Sequence, residues 1–180
     1  MVDNDDMMSF LTECRPPFCM GIDPGATGGI GFVSECDEGF AMDIPVSVVK
    51  RKGGTKTVAD YQGIIELFRR IYEYHQPCDI KVCLEEAVVQ IKGKGANAYT
   101  GFRVGCFYSM WPLFLLNQGH SLLEVHPRSW KGSMKILNME KEQVRRKAAA
   151  LFPDASLKRK MDHNRAEALM LALYRKTVIG

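Results

Sequence analysis

Phe18-Cys19-Met20-Gly21-Ile22-Asp23-Pro24-Gly25-Ala26-Thr27-Gly28-Gly29-Ile30-Gly31-Phe32-Val33 decides how the chain folds. Residues 17–22 and 28–34 read as two apolar strands, and the short Gly/Pro turn between them makes them antiparallel neighbours. Asp23 ends the first strand. Aspartate has poor strand propensity, so a carboxylate closing an apolar run needs a reason. One reason is that it aims at a metal ion or a phosphate. The other is that Asp-Pro-Gly is good turn chemistry and Asp23 caps its own turn.

Outward from this stretch, residues 40–46 predict a third strand and complete a meander. Residues 1–16 read as a flexible N-terminal tail, and 17–180 as one domain. Lys50 to Lys56, with Gly53-Gly54, reads as a basic flexible loop. Val58, Tyr61, Ile64, Ile65, Phe68, Ile71 and Tyr72 mark one face of a helix over 57–74. Ile80, Val82 and Leu84 alternate as a strand that ends at Glu85-Glu86. A basic loop follows to Tyr99, then an apolar helix over 101–116 that Pro112 kinks or ends midway. A short strand at 121–125 and helices at 139–151 and 164–175 complete the order. Strands alternating with helices after a meander predict an α/β sheet of mixed direction.

Composition is that of a soluble globular chain long enough to bury a core. No run approaches the ~18 apolar residues of a membrane span, so no membrane partner is expected. The acidic N-terminus resembles neither a signal nor a transit peptide, which points to a cytoplasmic protein, bacterial or phage-derived rather than organellar. The six cysteines include no Cys-x-x-Cys pair, which argues against zinc. Charge is segregated. Residues 1–40 hold eight acids and Arg15 alone, whereas 128–160 hold ten bases and three acids. Such a basic segment is the footprint expected for a phosphate backbone, although most charge runs are solvated helix faces.

Three acids fall at element ends. Asp23 and Glu85 close strands; if those strands are neighbours, both carboxylates emerge at one sheet edge. The third lies in Asp162-His163-Asn164-Arg165-Ala166-Glu167, where His163 and Glu167, four apart, share a helix face. Asp162 joins them only from outside the helix start. Carboxylates converging beside a basic surface suit paired Mg²⁺ ions that stabilise the attacking and leaving oxygens of a phosphodiester displacement. A plainer reading of the last cluster is a capping box, Asn164 with Glu167.

Gly-Ile-Asp-Pro-Gly at 21–25, Leu-Glu-Glu at 84–86, Trp-Lys at 130–131, Glu-Lys-x-Gln-Val at 140–144 and Asp-His-Asn-Arg-Ala-Glu-Ala-Leu at 162–169 together resemble RuvC-type Holliday-junction resolvases of the RNase H-like superfamily. The last motif, with Leu151-Phe152-Pro153 and Lys158-Arg159-Lys160 before it, is most similar to the chloroplast branch. The resemblance implies an RNase H-like α/β fold, a five-stranded mixed sheet with helices on both faces. It implies a homodimer that nicks four-way DNA junctions symmetrically with Mg²⁺ or Mn²⁺, two ions per active site. By position, Asp23, Glu85 and Glu167 would be metal ligands, His163 a ligand or the group that positions the attacking water, and Asp162 a weaker candidate. Lys131 and Lys141 match lysines that contact the scissile phosphate or nearby backbone in that family, and the helix at 101–116 would supply dimer contacts. Two departures stand out: His163 lies four residues before a Glu, where bacterial relatives place this group three before an Asp, and Val88 occupies their aromatic-wedge position. Tyr99 and Phe102 are the alternative base-stacking candidates.

The expected function is therefore resolution of branched DNA in recombination and repair by a divalent-metal endonuclease. Asp23, Glu85, His163, Glu167, Lys131 and Lys141 would form the catalytic set. Lys92, Lys94, Arg128, Lys131, Lys135, Lys141, Arg145, Lys158, Arg159 and Lys160 would contact DNA. The rivals are a nuclease for flaps or RNA–DNA hybrids, an actin- or sugar-kinase-like ATPase, and a non-catalytic DNA-binding protein.

Overall fold

Alternation along the first strand sets the layers. The computed structural model describes residues 4–13, 17–25, 27–51, 54–88 and 98–178. Within these, β1 (Phe18–Asp23), β2 (Gly29–Val33), β3 (Gly39–Asp43), β6 (Ile80–Glu85) and β7 (Ser121–Val125) form a five-stranded sheet in the order β3-β2-β1-β6-β7. β1 pairs antiparallel with β2, and β2 with β3, as short turns require. β6 lies parallel to β1, and β7 parallel to β6. Phe18, Met20 and Ile22 point to one face, where α1 (Asn4–Glu13), α2 (Tyr61–Tyr72) and α3 (Ala98–Gln118) bury Leu11, Phe68 and Trp111 against them. On the other face α5 (Lys141–Leu151) and α6 (His163–Val178) close a second core with Trp130 of the short helix α4 (Pro127–Ser133). The mixed five-stranded sheet with helices on both faces is thus as expected. Among the described residues, no helix is long and apolar enough to cross a membrane.

α6 lies directly on the backbone of β1 and β2. A Cβ at Gly21 would fall 2.2 Å from the Ala168 carbonyl oxygen, and one at Gly31 would fall 2.4 Å from the Leu169 nitrogen. Only glycine permits that approach, and Ala166, Ala168 and Ala172 make the helix face equally thin. Because Asp23 follows Gly21 by two residues, its side chain emerges on this same face, under the start of α6.

Two expectations fail. Residues 4–13 are not a flexible tail but the helix α1. Met7 and Leu11, four apart, are each 1% exposed in the core, and the His75 ring bonds the Leu11 carbonyl at 2.7 Å. The acidic run masked that short apolar stripe. The basic loop is not a loop: β4 (Val46–Arg51) and β5 (Gly54–Ala59) pair as an antiparallel hairpin, driven by β-branched Val46, Val48, Thr55 and Thr57. α2 consequently starts at Tyr61 rather than Thr57, where Asp60 accepts the Gly63 amide and caps it. Of the two readings of Pro112, an end midway is excluded, since α3 runs on through it to Gln118.

His120, 4% exposed, holds β7 to its neighbours: Tyr72 Oη lies 2.6 Å from Nε2, and the Ile80 carbonyl 3.4 Å from Nδ1. Burial pushes its pKa below the ordinary value of 6.5. The unfolded chain therefore takes up a proton, as pH falls through about 6.5, before the folded chain does. Stability should be lost on acidification from that point. Denaturant midpoints at about pH 7.5 and about pH 5.5 should drop more in the parent protein than in His120→Gln.

Candidate active site

Strand register brings the acids together. Ile22 of β1 lies opposite Leu84 of β6, so Asp23 and Glu85, one residue on, leave adjacent parallel strands side by side. α6, seated on the glycines of β1 and β2, adds Glu167 from its second turn. α4 delivers Lys131 among these carboxylates: its Nζ is 2.5 Å from Glu167 Oε2 and 3.6 Å from Glu85 Oε2. Trp130, fully buried beside it, donates its indole N–H to Glu85 Oε2 at 2.6 Å and fixes that carboxylate. Asp23 accepts the Gly25 amide at 3.3 Å, so the turn-capping reading is realised at the same site.

The electrostatics are those of crowded like charges. Burial, then the charge of Glu167, holds the Asp23 carboxyl above the usual carboxylate range. Burial chiefly raises Glu85 as well, with Asp23 and Glu167 adding to it and Lys131 and the Trp130 N–H opposing it. Burial alone would lower the Lys131 ammonium, but Glu167, Glu85 and Asp23 outweigh it and hold the pKa above its ordinary value. Three carboxylates thus share one ammonium ion, and the cluster has an unmet demand for positive charge.

That all-oxygen donor set is chemically suited to a hard divalent cation. Among the described residues, however, no three of His, Cys, Asp or Glu stand close enough together to hold an ion in this arrangement, with Lys131 lying among the acids. His163 opens α6 one turn before Glu167, and its Nδ1 lies 3.3 Å from the Lys160 carbonyl. A carbonyl only accepts, so this contact is made by a protonated Nδ1.

Asp162 is not available as a ligand. It is 1% exposed, and Arg159 closes on both oxygens, with its backbone N–H 2.7 Å from Oδ2 and its guanidinium 2.7 Å from Oδ1. Arg165, 3% exposed, stands 3.7 Å from the same carboxylate and binds Asp43 at the end of β3 with two donors. The four side chains clamp the entrance of α6, replacing the capping box expected of Asn164 and Glu167. Asn164 instead donates its side-chain amide to the Thr27 carbonyl, tying α6 to the β1–β2 turn. Sequence reasoning named Trp130 within a motif without giving it a role, and missed this clamp. The clamp's signal was the spacing of Arg159, Asp162 and Arg165, three residues apart.

Of the bases expected at DNA, Arg145 is turned inward, donating to Glu142 at 2.7 Å and to the Leu157 carbonyl. Arg159 is committed to Asp162 and Asp43. Arg128, Lys135, Lys141, Lys158 and Lys160 are exposed and form no ion pair among the described residues. The charge of Lys141 also acts on Asp23. Lys92 and Lys94 lie outside the described residues. Tyr99 falls in the first turn of α3, and Phe102, next on that helix, is 69% exposed.

No protein-family model and no curated protein matches the chain. Solved structures do. Thermus thermophilus RuvC in complex with a Holliday junction substrate is 18% identical, with a TM-score of 0.55, over 90% of this chain and 94% of that one. A second Thermus thermophilus RuvC structure is 19% identical, with a TM-score of 0.49, over 88% and 93%. At this identity the likeness fixes the fold, which is RNase H-like.

Proposed function

We propose that the chain is a divalent-metal-dependent endonuclease that resolves four-way DNA junctions by paired symmetric nicks, working as a homodimer. The observation that carries this reading is the meeting of Asp23, Glu85 and Glu167, from three separate elements, around Lys131 at one edge of the sheet. Support for the substrate comes from the shared fold with a RuvC solved on a Holliday junction.

Asp23, Glu85 and Glu167, with His163 one helical turn before Glu167, would hold Mg²⁺ or Mn²⁺, which supplies Lewis-acid stabilisation of the charge developing on phosphate oxygens. The chain's own groups do the rest. Trp130 keeps Glu85 from rotating away, and the Arg159–Asp162–Arg165–Asp43 clamp fixes the first turn of α6, and with it His163 and Glu167. Lys131 and Lys141 would hold the scissile phosphate, and Arg128, Lys135, Lys158 and Lys160 the flanking backbone, as point charges without sequence preference. The exposed apolar side chains of α3, Phe102, Leu113 and Leu116, would form the dimer contact that sets two active sites on one junction.

A supercoiled plasmid that extrudes a cruciform tests the pairing of cuts. In Mg²⁺ the expected product is linear DNA, with relaxed plasmid untouched. Accumulation of nicked circles alone would contradict the paired mechanism, and equal attack on relaxed plasmid would contradict junction selectivity.

A further inference from the structure

A second groove opens at the opposite end of the sheet, between α1, the β2–β3 turn and the segment after α5, and encloses about 470 Å³. Its floor is aromatic. Phe10, half-buried, stacks on Phe40 with ring centroids 5.8 Å apart. Phe152 lies against Gly39 so closely that a Cβ there would fall 2.4 Å from its ring. Its rim is acidic: Asp6, Glu13, Asp37, Glu38 and Asp154 line it, and among the described residues no Lys, Arg or His does. Asp37 is already paired with Lys176 at 2.7 Å, and Glu13 accepts the Ser9 hydroxyl at 2.7 Å. Asp6 and Asp154 are exposed and form no ion pair among the described residues.

Charge complementarity restricts the occupant. A carboxylate rim repels phosphate, so DNA belongs to the basic end of the sheet and not here. A small hydrated cation would use the carboxylate rim and leave the aromatic floor uncovered, whereas an apolar side chain flanked by lysine or arginine uses both floor and rim. The β2–β3 turn lies at the far end of β2 and β3 from Asp23 and Asp43, so the groove can be filled while the carboxylate edge is engaged. We propose that this groove docks a basic segment of a partner protein, a short peptide in which lysine or arginine residues flank one large apolar anchor. The inference stands whether or not the chain is a nuclease.

Fluorescence anisotropy with the full chain tests it, using a labelled short peptide of lysine and arginine with one central tryptophan. The control has the same charge and serine in place of tryptophan. The tryptophan peptide should bind about tenfold or more tighter than the control. That advantage should vanish in Ser156→Trp, which fills the groove from its exposed rim, and binding should weaken about tenfold or more in the double variant Asp6→Lys/Asp154→Lys. Melting temperature and DNA cleavage should be unchanged in both. Equal binding of the two peptides, or unaltered binding by either variant, would overturn the proposal. So would concentration-dependent self-association of the parent protein that the double variant abolishes, because the groove would then receive a second copy of the chain.

Discussion

Asp23→Asn is expected to lower the rate of junction cleavage by roughly 10³-fold or more while leaving junction binding nearly intact. The carboxylate sits where β1 ends, crowded by Glu167 and Glu85, and shares with them the one ammonium of Lys131. Removing its charge takes away a third of the negative potential that would hold a divalent ion, whereas the exposed bases that would bind the DNA backbone are untouched. The same substitution should raise the melting temperature. Burial and like charge hold the Asp23 carboxyl above its ordinary pKa, so the folded chain binds a proton more tightly than the unfolded chain. Above that window ionised Asp23 destabilises the fold, and neutral asparagine relieves it. Gain of stability together with loss of turnover is the signature of a group kept for function. Single-turnover cleavage of a labelled junction and thermal melting of both proteins check the two halves. A variant that loses activity by unfolding, with a lower melting temperature, would contradict this description of the site.

Arg165→Leu should cost about 3 kcal/mol of stability, because it removes one of the two guanidinium groups beside buried Asp162 and both donors to Asp43. Arg165 and Asp162 are 3% and 1% exposed, and only Arg159 would remain to satisfy Asp162. Leucine fills the space but cannot replace the guanidinium donors to Asp43. Chemical denaturation measures the loss. Adding Asp162→Asn to the leucine variant should recover part of it, since the buried carboxylate that has lost one of its two guanidinium neighbours is then neutral. No recovery would show that packing, and not charge, holds this corner. Cleavage should fall in Arg165→Leu as well, because the clamp sets the start of α6, from which His163 and, one turn later, Glu167 project.

The sheet was legible because its signals are local. Alternation in Phe18–Ile22 and Ile80–Leu84, a glycine-rich turn and apolar helix stripes fix the order of elements without any tertiary information. The ends of the strands were legible too, and with them Asp23 and Glu85. The register that brings them side by side comes from the parallel pairing of β1 and β6. What the sequence hid depends on competition between signals. In residues 54–59 a helical stripe that begins at Val58 competed with β-branched pairing to Val46–Arg51, and the hairpin won. In α1 a run of aspartates outweighed the two buried side chains, Met7 and Leu11, that dock it. Charge alone did not reveal the partners of Arg145, Arg159 and Asp162, since a base or acid in a motif does not declare whether it faces solvent or a neighbour three residues away.

Lys131 was read as a phosphate contact, and the structure places it first as the counter-ion of the acids. Both roles suit one flexible ammonium group. The close approach of α6, which makes the cluster possible, rests on Gly21 and Gly31, residues that sequence reading had treated only as parts of strands.

The most direct measurement is cleavage of a labelled synthetic four-way junction in Mg²⁺, with linear duplex, a 5′ flap and an RNA–DNA hybrid alongside. Paired nicks placed symmetrically in the junction, with the other three substrates intact, are the expected result. Preferential cleavage of the flap or the hybrid would contradict junction resolution, and no cleavage of any substrate in either Mg²⁺ or Mn²⁺ would contradict the nuclease reading altogether.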